Sequence, residues 1–369
     1  MRIGVDAKWY FSGPPSTRTM LQNLLPPLFK FYPEHEWIVF LDRKDKQLGF
    51  PFHQSNIKIQ YIWAGVNMLS NLLILPYHSR KYKPDIIIFQ TFAALHRNRS
   101  IAFIHDVLFN NYPQFFTWKE KLYFLPLKWL TSMADRVVVT SQFVANELIR
   151  YNYRKRPNEI DIVPLGVSSD FKPADELDAN LLQRVKEKFN LPDSFILFVG
   201  RLNVRKNIES LLKAIPLLHD TKIAVVIVGE EDGKTNCFKE ILSNPKLQNR
   251  VQMTGNIGNE ELPAIYAMAT LFCFPSFAEG FGLPPLEAMA AGIPAVVSKT
   301  TSLPEVCGDA PVYIDSPNPE SIASALNHLL EDPIMYQQKR KTGFEQARKY
   351  NWDKTAHRLM QSVINTINK

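Results

Sequence analysis

Short apolar stretches alternate with longer amphipathic stretches along the whole chain. The short stretches predict buried strands and the amphipathic ones predict helices. This alternation is typical of α/β units with parallel sheets. In the first half it predicts strands at Arg2–Val5, Trp37–Leu41, Ile57–Ile62, Asp85–Phe89, Ala102–Ile104, Arg136–Val139 and Ile160–Val163. It predicts helices at about Thr17–Phe31, Asn67–Tyr82, Trp118–Met133 and Gln142–Tyr151.

A polar, proline-punctuated stretch, residues 169–194, predicts a domain linker. A second series of strands is predicted at Phe195–Val199, Ile223–Val228, Val251–Met253, Phe272–Phe274 and Ala295–Val297. Helices are predicted from Asn207, from Glu260, between Pro284 and Gly292, and over Pro319–Asn368 with breaks at Asp332 and Asn351. Ser302 and Glu305 have the spacing of a capping box, which predicts one more short helix. The 369 residues suffice for two domains, expected at 1–172 and 173–351.

The composition is that of a soluble globular protein, with 46% hydrophobic and 21% charged residues. No apolar run approaches the ~20 residues of a membrane-spanning helix. The three cysteines, Cys237, Cys273 and Cys307, show no metal-binding spacing. An odd number of cysteines and a first strand in place of a secretory leader predict a cytoplasmic protein.

Positive charge is concentrated in the first half of the chain. Residues 1–172 contain 22 Lys and Arg against 13 Asp and Glu, whereas the remainder contains 21 against 23. A basic half suggests an anionic partner. The chain has no helix-turn-helix, zinc-finger or RNA-recognition signature, so a membrane surface or a phosphorylated lipid is favoured over nucleic acid.

The stretch Phe277–Gly292, which follows a short apolar run, predicts a glycine loop and a helix start. Gly280 and Gly282 allow the backbone to approach a ligand closely. Two prolines suit the first turn of the helix but lack N–H groups. An anion would therefore bind the backbone amides of Phe281, Gly282 and Leu283 at the helix N-terminus.

Two glutamates accompany this anion site. Glu287 is placed to accept hydrogen bonds from ribose hydroxyls, and Glu279 could face a sugar. The alternative is an ordinary strand–loop–helix connection with both glutamates solvated. The stretch Gly-Phe-Gly-Leu-Pro-Pro-Leu-Glu-Ala-Met-Ala-Ala-Gly-Ile-Pro resembles the Glu-x7-Glu signature of retaining GT-B glycosyltransferases, carbohydrate-active family four. The resemblance implies two Rossmann-like, doubly wound α/β domains that face each other across a cleft. The first would bind the acceptor and the second the donor, and the helix after Asn351, about residues 352–369, would cross back to the first.

The segment Gly200–Asn207 follows a predicted strand and places three cations at a loop where α/β sheets bind ligands. Arginine can hold phosphate oxygens in a fork and lysine adds a point charge. A solvated basic loop is the alternative. The segment is similar to the family's diphosphate-binding element, which implies that Arg201 and Lys206 hold the donor diphosphate beside Gly200 and Arg205.

Two further stretches lie in the first domain. His105 and Asp106 follow a strand, and the resemblance implies that His105 steers the donor sugar while Asp106 orients His105 or its loop. A lone histidine is otherwise more often structural. Between the first strand and its helix, family members usually carry a glycine pair for close approach to acceptor and phosphate. Here Ser16 and Arg18 would offer side-chain hydrogen bonds instead.

The segment Trp118–Trp129 interleaves lysines with aromatic and aliphatic residues, which fits an interfacial amphipathic helix. A core helix with a lysine face fits equally well. The segment Gly229–Thr235 is one residue short of a P-loop, and its three carboxylates would repel phosphate. The sequence contains no Asp-x-Asp and no His-Glu-x-x-His motif, so no metal and no cofactor are expected.

The resemblance implies a retaining hexosyltransferase, and the missing metal motifs predict that it works without a metal. The stretch Ile104–Asp106 followed by Asn111–Pro113 looks most like bacterial mannosyltransferases of polysaccharide assembly. GDP-mannose is the first donor expected and a UDP-hexose the second, with a glycan or a lipid-linked acceptor. The protein would be cytoplasmic or peripheral on the inner face of the membrane. The alternatives are a nucleotide-sugar 2-epimerase of the same fold and a non-catalytic, membrane-docked binding protein.

Overall fold

The computed structural model describes residues 1–93, 98–154, 156–230 and 241–368. Cys237 and most of the Gly229–Thr235 segment lie outside these residues. The chain divides into two compact units, Met1–Gly166 together with Trp352–Lys369, and Val167–Asn351. The predicted boundary after residue 172 is a few residues too late.

The first unit is built on a parallel sheet of seven strands in the order β3-β2-β1-β4-β5-β6-β7, as far as the described residues show. Its strands are β1 (Arg2–Asp6), β2 (Glu36–Asp42), β3 (Ile57–Ile62), β4 (Ile86–Gln90), β5 (Arg99–Ile104), β6 (Arg136–Val139) and β7 (Ile160–Ile162). Its helices are Pro15–Phe31, Asn67–Leu69, the π turn Ser70–Ile74, Leu75–Tyr82, Leu108–Asn111, Trp118–Phe124, Leu127–Met133, Gln142–Arg150 and Trp352–Ile367.

The second unit has a parallel sheet of six described strands in the order β10-β9-β8-β11-β12-β13. They are β8 (Phe195–Val199), β9 (Ala224–Val228), β10 (Val251–Gly255), β11 (Leu271–Phe274), β12 (Ala295–Ser298) and β13 (Val312–Ile314). Its described helices are Ala179–Phe189, Ile208–Ala214, Leu262–Met268, Leu283–Ala290, Leu303–Cys307, Pro319–Glu331 and Pro333–Ala347. The expectation of two α/β units with parallel sheets is confirmed.

Burial on both faces explains why the strands could be recognised in the sequence. Every residue of β4 and of β8 is buried, and parallel sheets covered on both sides produce such continuous apolar runs. The helix Trp352–Ile367 belongs to the first unit, where Thr355 Oγ1 donates to Pro164 O at 2.8 Å and Thr366 O accepts from Arg99 at 2.8 Å.

The structure corrects three of the predicted elements and adds one strand. The predicted helix Trp118–Met133 is two helices, because Pro126 between them has no N–H to donate. The predicted linker contains the helix Ala179–Phe189, which begins where the Asp178 side chain accepts from Asn180 N. The helix predicted from Glu260 begins at Leu262. The short strand β13 was not predicted.

The capping box at Ser302 is also wrong. The helix Leu303–Cys307 forms, but no side chain caps it. The Ser302 hydroxyl donates instead to the carbonyls of Glu279 and Phe281, at 2.9 Å each. Among the described helices, none is long and apolar enough to span a membrane.

Candidate functional site

The glycine loop of the second unit lies between the buried strand β11 and the helix Leu283–Ala290. Gly282 has φ +108°, and a Cβ there would lie 2.5 Å from Leu303 Cδ2, so the position favours glycine. The backbone amides of Phe281, Gly282 and Leu283 have no acceptor among the described residues. These are the three amides that the sequence assigned to an anion at this helix N-terminus.

The loop that carries Glu279 is held by backbone and side-chain hydrogen bonds. Glu279 N donates to Thr301 Oγ1 at 2.9 Å, and the Ser302 hydroxyl fixes the carbonyls on either side of Gly280. The Phe281 ring packs edge-on against Tyr350, with ring centres 5.8 Å apart. These contacts within the second unit fix the position of the loop.

The basic loop after β8 is joined directly to this glycine loop. Gly200 N donates to Val228 O at 2.9 Å, which fixes the start of the basic loop. The Asn207 side-chain amide donates to Pro275 O at 3.1 Å and to Pro317 O at 2.7 Å. Phe277 N donates to Arg205 O at 2.8 Å. Two segments about seventy residues apart thus form one structure.

This junction brings the buried Lys206 and Glu279 and the half-buried Arg205 into one ion network. Lys206 Nζ lies 2.7 Å from Glu279 Oε1, and an Arg205 guanidinium nitrogen lies 3.1 Å from Glu279 Oε2. Arg205 also donates to Ala278 O. Lys206 Nζ lies 4.5 Å from the centre of the Phe274 ring. Arg201, at the start of the same loop, is exposed.

Burial and the neighbouring charges have opposite effects on the pKa values of the network. Burial disfavours ionisation of Glu279, but Arg205 and Lys206 outweigh it and lower the pKa of Glu279 to about 2. Burial lowers the pKa of Lys206, and Glu279 counteracts this decrease. Glu279 is therefore a carboxylate at neutral pH, and it holds Arg205 and Lys206 next to the glycine loop.

Glu287 is in a different environment. It lies in the helix Leu283–Ala290, is 7% exposed, and accepts a hydrogen bond from the Tyr266 hydroxyl at 2.9 Å. Burial raises the pKa of Glu287 to about 7, and the hydrogen bond from Tyr266 opposes that increase. The pKa values of the two glutamates are thus shifted in opposite directions, since Glu279 is paired with Arg205 and Lys206 whereas Glu287 is buried beside a phenol.

Among the first unit's predicted residues, His105 directly follows β5. Its Nε2 atom is buried and has no partner among the described residues. Burial lowers the pKa of His105 to about 4, so the imidazole is neutral at physiological pH. Asp106 Oδ1 accepts from Leu108 N at 3.1 Å, which orients the loop after His105.

Ser16 and Arg18 occupy the first turn of the helix Pro15–Phe31, and Ser16 is exposed. The helix begins two residues earlier than Thr17, where it was predicted to begin.

A cleft of about 560 Å³ opens beside the loop that precedes this helix and is lined in part by Trp9, Trp63 and Arg43. The sequence did not predict this cleft, because its walls come from segments after three different strands. No three His, Cys, Asp or Glu residues within the described ranges are grouped to hold a metal ion.

Two family models match the chain in succession. The Glycosyltransferase Family 4 model matches residues 34–171, and the Glycosyl transferases group 1 model matches residues 181–349. The first match covers most of the first unit and ends a few residues past Gly166, and the second match lies within the second unit.

Curated relatives include mannosyltransferases of Escherichia coli. O-antigen chain mannosyltransferase B is 29% identical over 282 residues, which cover 74% of this chain and 72% of that protein. Serotype-specific mannosyltransferase WbdA is 32% identical over 247 residues, which cover 63% of this chain but only 30% of that protein.

Among solved structures, the sucrose-phosphate synthase of Thermosynechococcus elongatus superposes with a TM-score of 0.79 at 19% identity, covering 99% of this chain and 98% of that one. This similarity concerns the fold, which is GT-B. From the two matched models, the two parallel-sheet units and the intact Glu-x7-Glu loop, we conclude that the chain belongs to the group 1 glycosyltransferases of family four.

Proposed function

We propose that this protein transfers a hexose from a nucleotide donor to a glycan or lipid-linked acceptor, with retention at the anomeric carbon. The observation that carries the proposal is the ion network of Arg205, Lys206 and Glu279 at the start of the glycine loop, where the amides of Phe281, Gly282 and Leu283 have no acceptor in the described part of the chain. Amides at a helix N-terminus together with an arginine and a lysine suit a diphosphate.

The two glutamates would divide the donor between them. Glu287 lies within the helix that follows the phosphate-binding loop, a position suited to the ribose of the nucleotide. Glu279 lies on the loop itself, where the transferred sugar would follow the diphosphate. Lys206 and Arg205 would neutralise the charge that develops on the departing diphosphate, and this role needs no metal ion.

In the proposed reaction, the bond between the anomeric carbon and the β-phosphate oxygen breaks while the acceptor oxygen bonds on the same face. The acceptor's proton passes to the departing phosphate oxygen, so atoms and charge balance. His105, neutral because of its low pKa of about 4, would contact the sugar as a hydrogen-bond partner and not as a cation.

Mannose from GDP-mannose is the proposed first donor, since the names of the relatives specify mannose transfer. A UDP-hexose is the second. The acceptor would bind the first unit, where the cleft beside Trp9 and Trp63 has two aromatic faces suited to sugar rings. A Cβ at Gly13 would lie 2.6 Å from Trp9, and one at Gly65 would lie 2.2 Å from the Trp63 ring, so both glycines make room for these rings.

A thermal-shift and calorimetric panel of GDP, GDP-mannose, UDP and UDP-glucose tests the donor assignment, because a ligand that binds the folded state raises its melting temperature. We expect GDP and GDP-mannose to stabilise the wild type. Lys206→Ala should lose this response, whereas Lys186→Ala, which removes an exposed lysine of the same unit, should keep it.

Products separate the remaining alternatives. Incubation with donor and a glycan acceptor, followed by NMR of the product's anomeric carbon, should show a retained configuration. Epimerised sugar formed without acceptor would identify a 2-epimerase. Binding without turnover of any donor, across a panel of lipid-linked and free glycan acceptors, would favour the non-catalytic binding protein. We also propose that the protein works at a membrane.

A further inference from the structure

Two helices of the first unit expose large apolar side chains in a regular pattern. Trp118, Leu122, Leu125 and Trp129 are 70%, 61%, 74% and 53% exposed. Their spacing of four, three and four residues places them on one side of a helix. Leu125 and Pro126, which join Trp118–Phe124 to Leu127–Met133, keep helical backbone angles, so the side is continuous.

The opposite side of these helices already covers the core. Leu127 and Leu130 are fully buried, and Tyr123 and Phe124 pack against the same hydrophobic cluster. The exposed residues are therefore additional to the side of the helices that packs on the core. The outer side of an amphipathic helix is normally polar. A helix that is apolar on both sides is expected to bury its outer side against a second apolar partner.

A second helical segment repeats the arrangement. Val66, Leu69, Leu73 and Tyr77 are 47%, 41%, 64% and 67% exposed along the segment that includes the π turn Ser70–Ile74. Its inner residues, among them Leu72, pack on the same cluster as the first pair of helices. Because that cluster consists of alternate residues of the strands, both segments cover the same face of the sheet. Together the eight exposed residues form what we call the outer apolar surface.

Positive charge borders the outer apolar surface. Exposed cations lie on the same helices, namely Lys119, Lys121, Lys128, Arg80 and Lys81. The acidic residue among them, Glu120, has its carboxylate engaged by Thr117 N at 2.7 Å and by Thr117 Oγ1 at 2.8 Å. The pattern of tryptophan, leucine and lysine suits a bilayer interface, where indole rings sit at headgroup level and lysines reach anionic phosphates.

We propose that the outer apolar surface docks this protein on an anionic lipid bilayer. A second copy of the chain fits less well, since self-association through this surface would bring the same lysines and arginines against one another. The inference does not depend on glycosyl transfer, because docking requires neither donor nor acceptor.

Vesicle co-sedimentation tests the proposal with the full chain. Phosphatidylcholine vesicles with and without phosphatidylglycerol are compared for the wild type, for Leu122→Ser combined with Leu125→Ser, and for Ile334→Ser. Ile334 is a matched control, since it is 83% exposed but lies in the second unit. Circular dichroism verifies that each variant is folded.

We expect the wild type to bind the anionic vesicles, less so at high salt because exposed charges are screened. The affinity of the double variant for anionic vesicles should fall by at least about tenfold, because two leucines are no longer buried in the bilayer. Ile334→Ser should bind as the wild type does. A blue shift of tryptophan emission on anionic vesicles, reduced in Trp118→Phe, would place this helix in the interface.

Three results would overturn the proposal. The first is equal binding to neutral and anionic vesicles, and the second is wild-type binding by the folded double variant. The third is the absence of vesicle binding together with a wild-type dimer that the double variant dissociates, which would make the surface a protein interface.

Discussion

The ion network around Glu279 makes a prediction that depends on its charge. Glu279→Gln keeps the size of the side chain but removes the anion that lies between Arg205 and Lys206. The pKa of Glu279 is lowered from 4.5 to about 2 in the folded protein. At about 1.4 kcal/mol per pKa unit, the network contributes about 3 kcal/mol to folding when the carboxylate is ionised.

The sign of the pH dependence follows from the lowered pKa. A carboxyl whose folded pKa lies below its unfolded value contributes its full stabilisation above the unfolded pKa and loses it as the pH falls toward the folded one. The free-energy difference between wild type and Glu279→Gln should therefore fall from about 3 kcal/mol near pH 7 to about 1 kcal/mol near pH 3.

Urea unfolding at a series of pH values measures this difference. Glu279 lies in the second unit, whereas all six tryptophans lie in the first. Far-UV circular dichroism is therefore the primary readout, and tryptophan fluorescence reports separately on the first unit. A difference that stays constant between neutral and acidic pH would refute the charge argument, as would a variant as stable as the wild type near pH 7.

The same variant separates folding from function. Without Glu279 as a competitor, Lys206 remains available to a diphosphate, so GDP affinity should stay the same or increase. Turnover of the sugar donor should fall, the pattern of a contact that matters in the transition state. Loss of GDP binding in a folded Glu279→Gln protein would place Glu279 at the nucleotide and not at the sugar.

Three further predictions concern single residues of the site. Lys206→Ala should weaken GDP binding by about 1.5–3 kcal/mol in calorimetry, the value of a charge-assisted hydrogen bond, and unchanged affinity in a folded variant would remove Lys206 from the site. Glu287→Ala should weaken binding of free GDP and of GDP-mannose alike, because its proposed partner is the ribose; an effect on the sugar donor alone would reverse the roles of the two glutamates. His105→Ala should lower the turnover number while GDP affinity remains near that of the wild type, and equal turnover in the two proteins would leave His105 with a structural role only.

The sequence determined the strands and the loop chemistry of this protein. The strands Ile57–Ile62, Arg136–Val139 and Phe195–Val199 begin and end where the apolar runs predicted. A strand of a parallel sheet is buried on both faces and is therefore a continuous apolar run. Such a run can be recognised in the sequence without knowing which strands lie beside it. The glycine loop and the prolines at the following helix start are local signals of the same kind.

Only the tertiary structure decided how the site residues are paired. Lys206 and Glu279 are 73 residues apart in the chain, and Tyr266 and Glu287 are 21 apart. The Ser302 hydroxyl, whose spacing to Glu305 predicted a helix cap, is used to hold the glycine loop. These partners are brought together by the order of the strands in the sheet. Their pairing therefore produces no periodic pattern in the sequence.

The two helices Trp118–Phe124 and Leu127–Met133 show the same limit of the sequence. The segment Trp118–Trp129 is apolar on both sides, so its pattern favoured a core helix and an interfacial helix equally. Leu127 and Leu130 turned out to face the core, while Trp118 and Leu122 face outward. The hydrophobic pattern fixes which residues avoid water, but the direction each side faces is set by the sheet on which the helix packs.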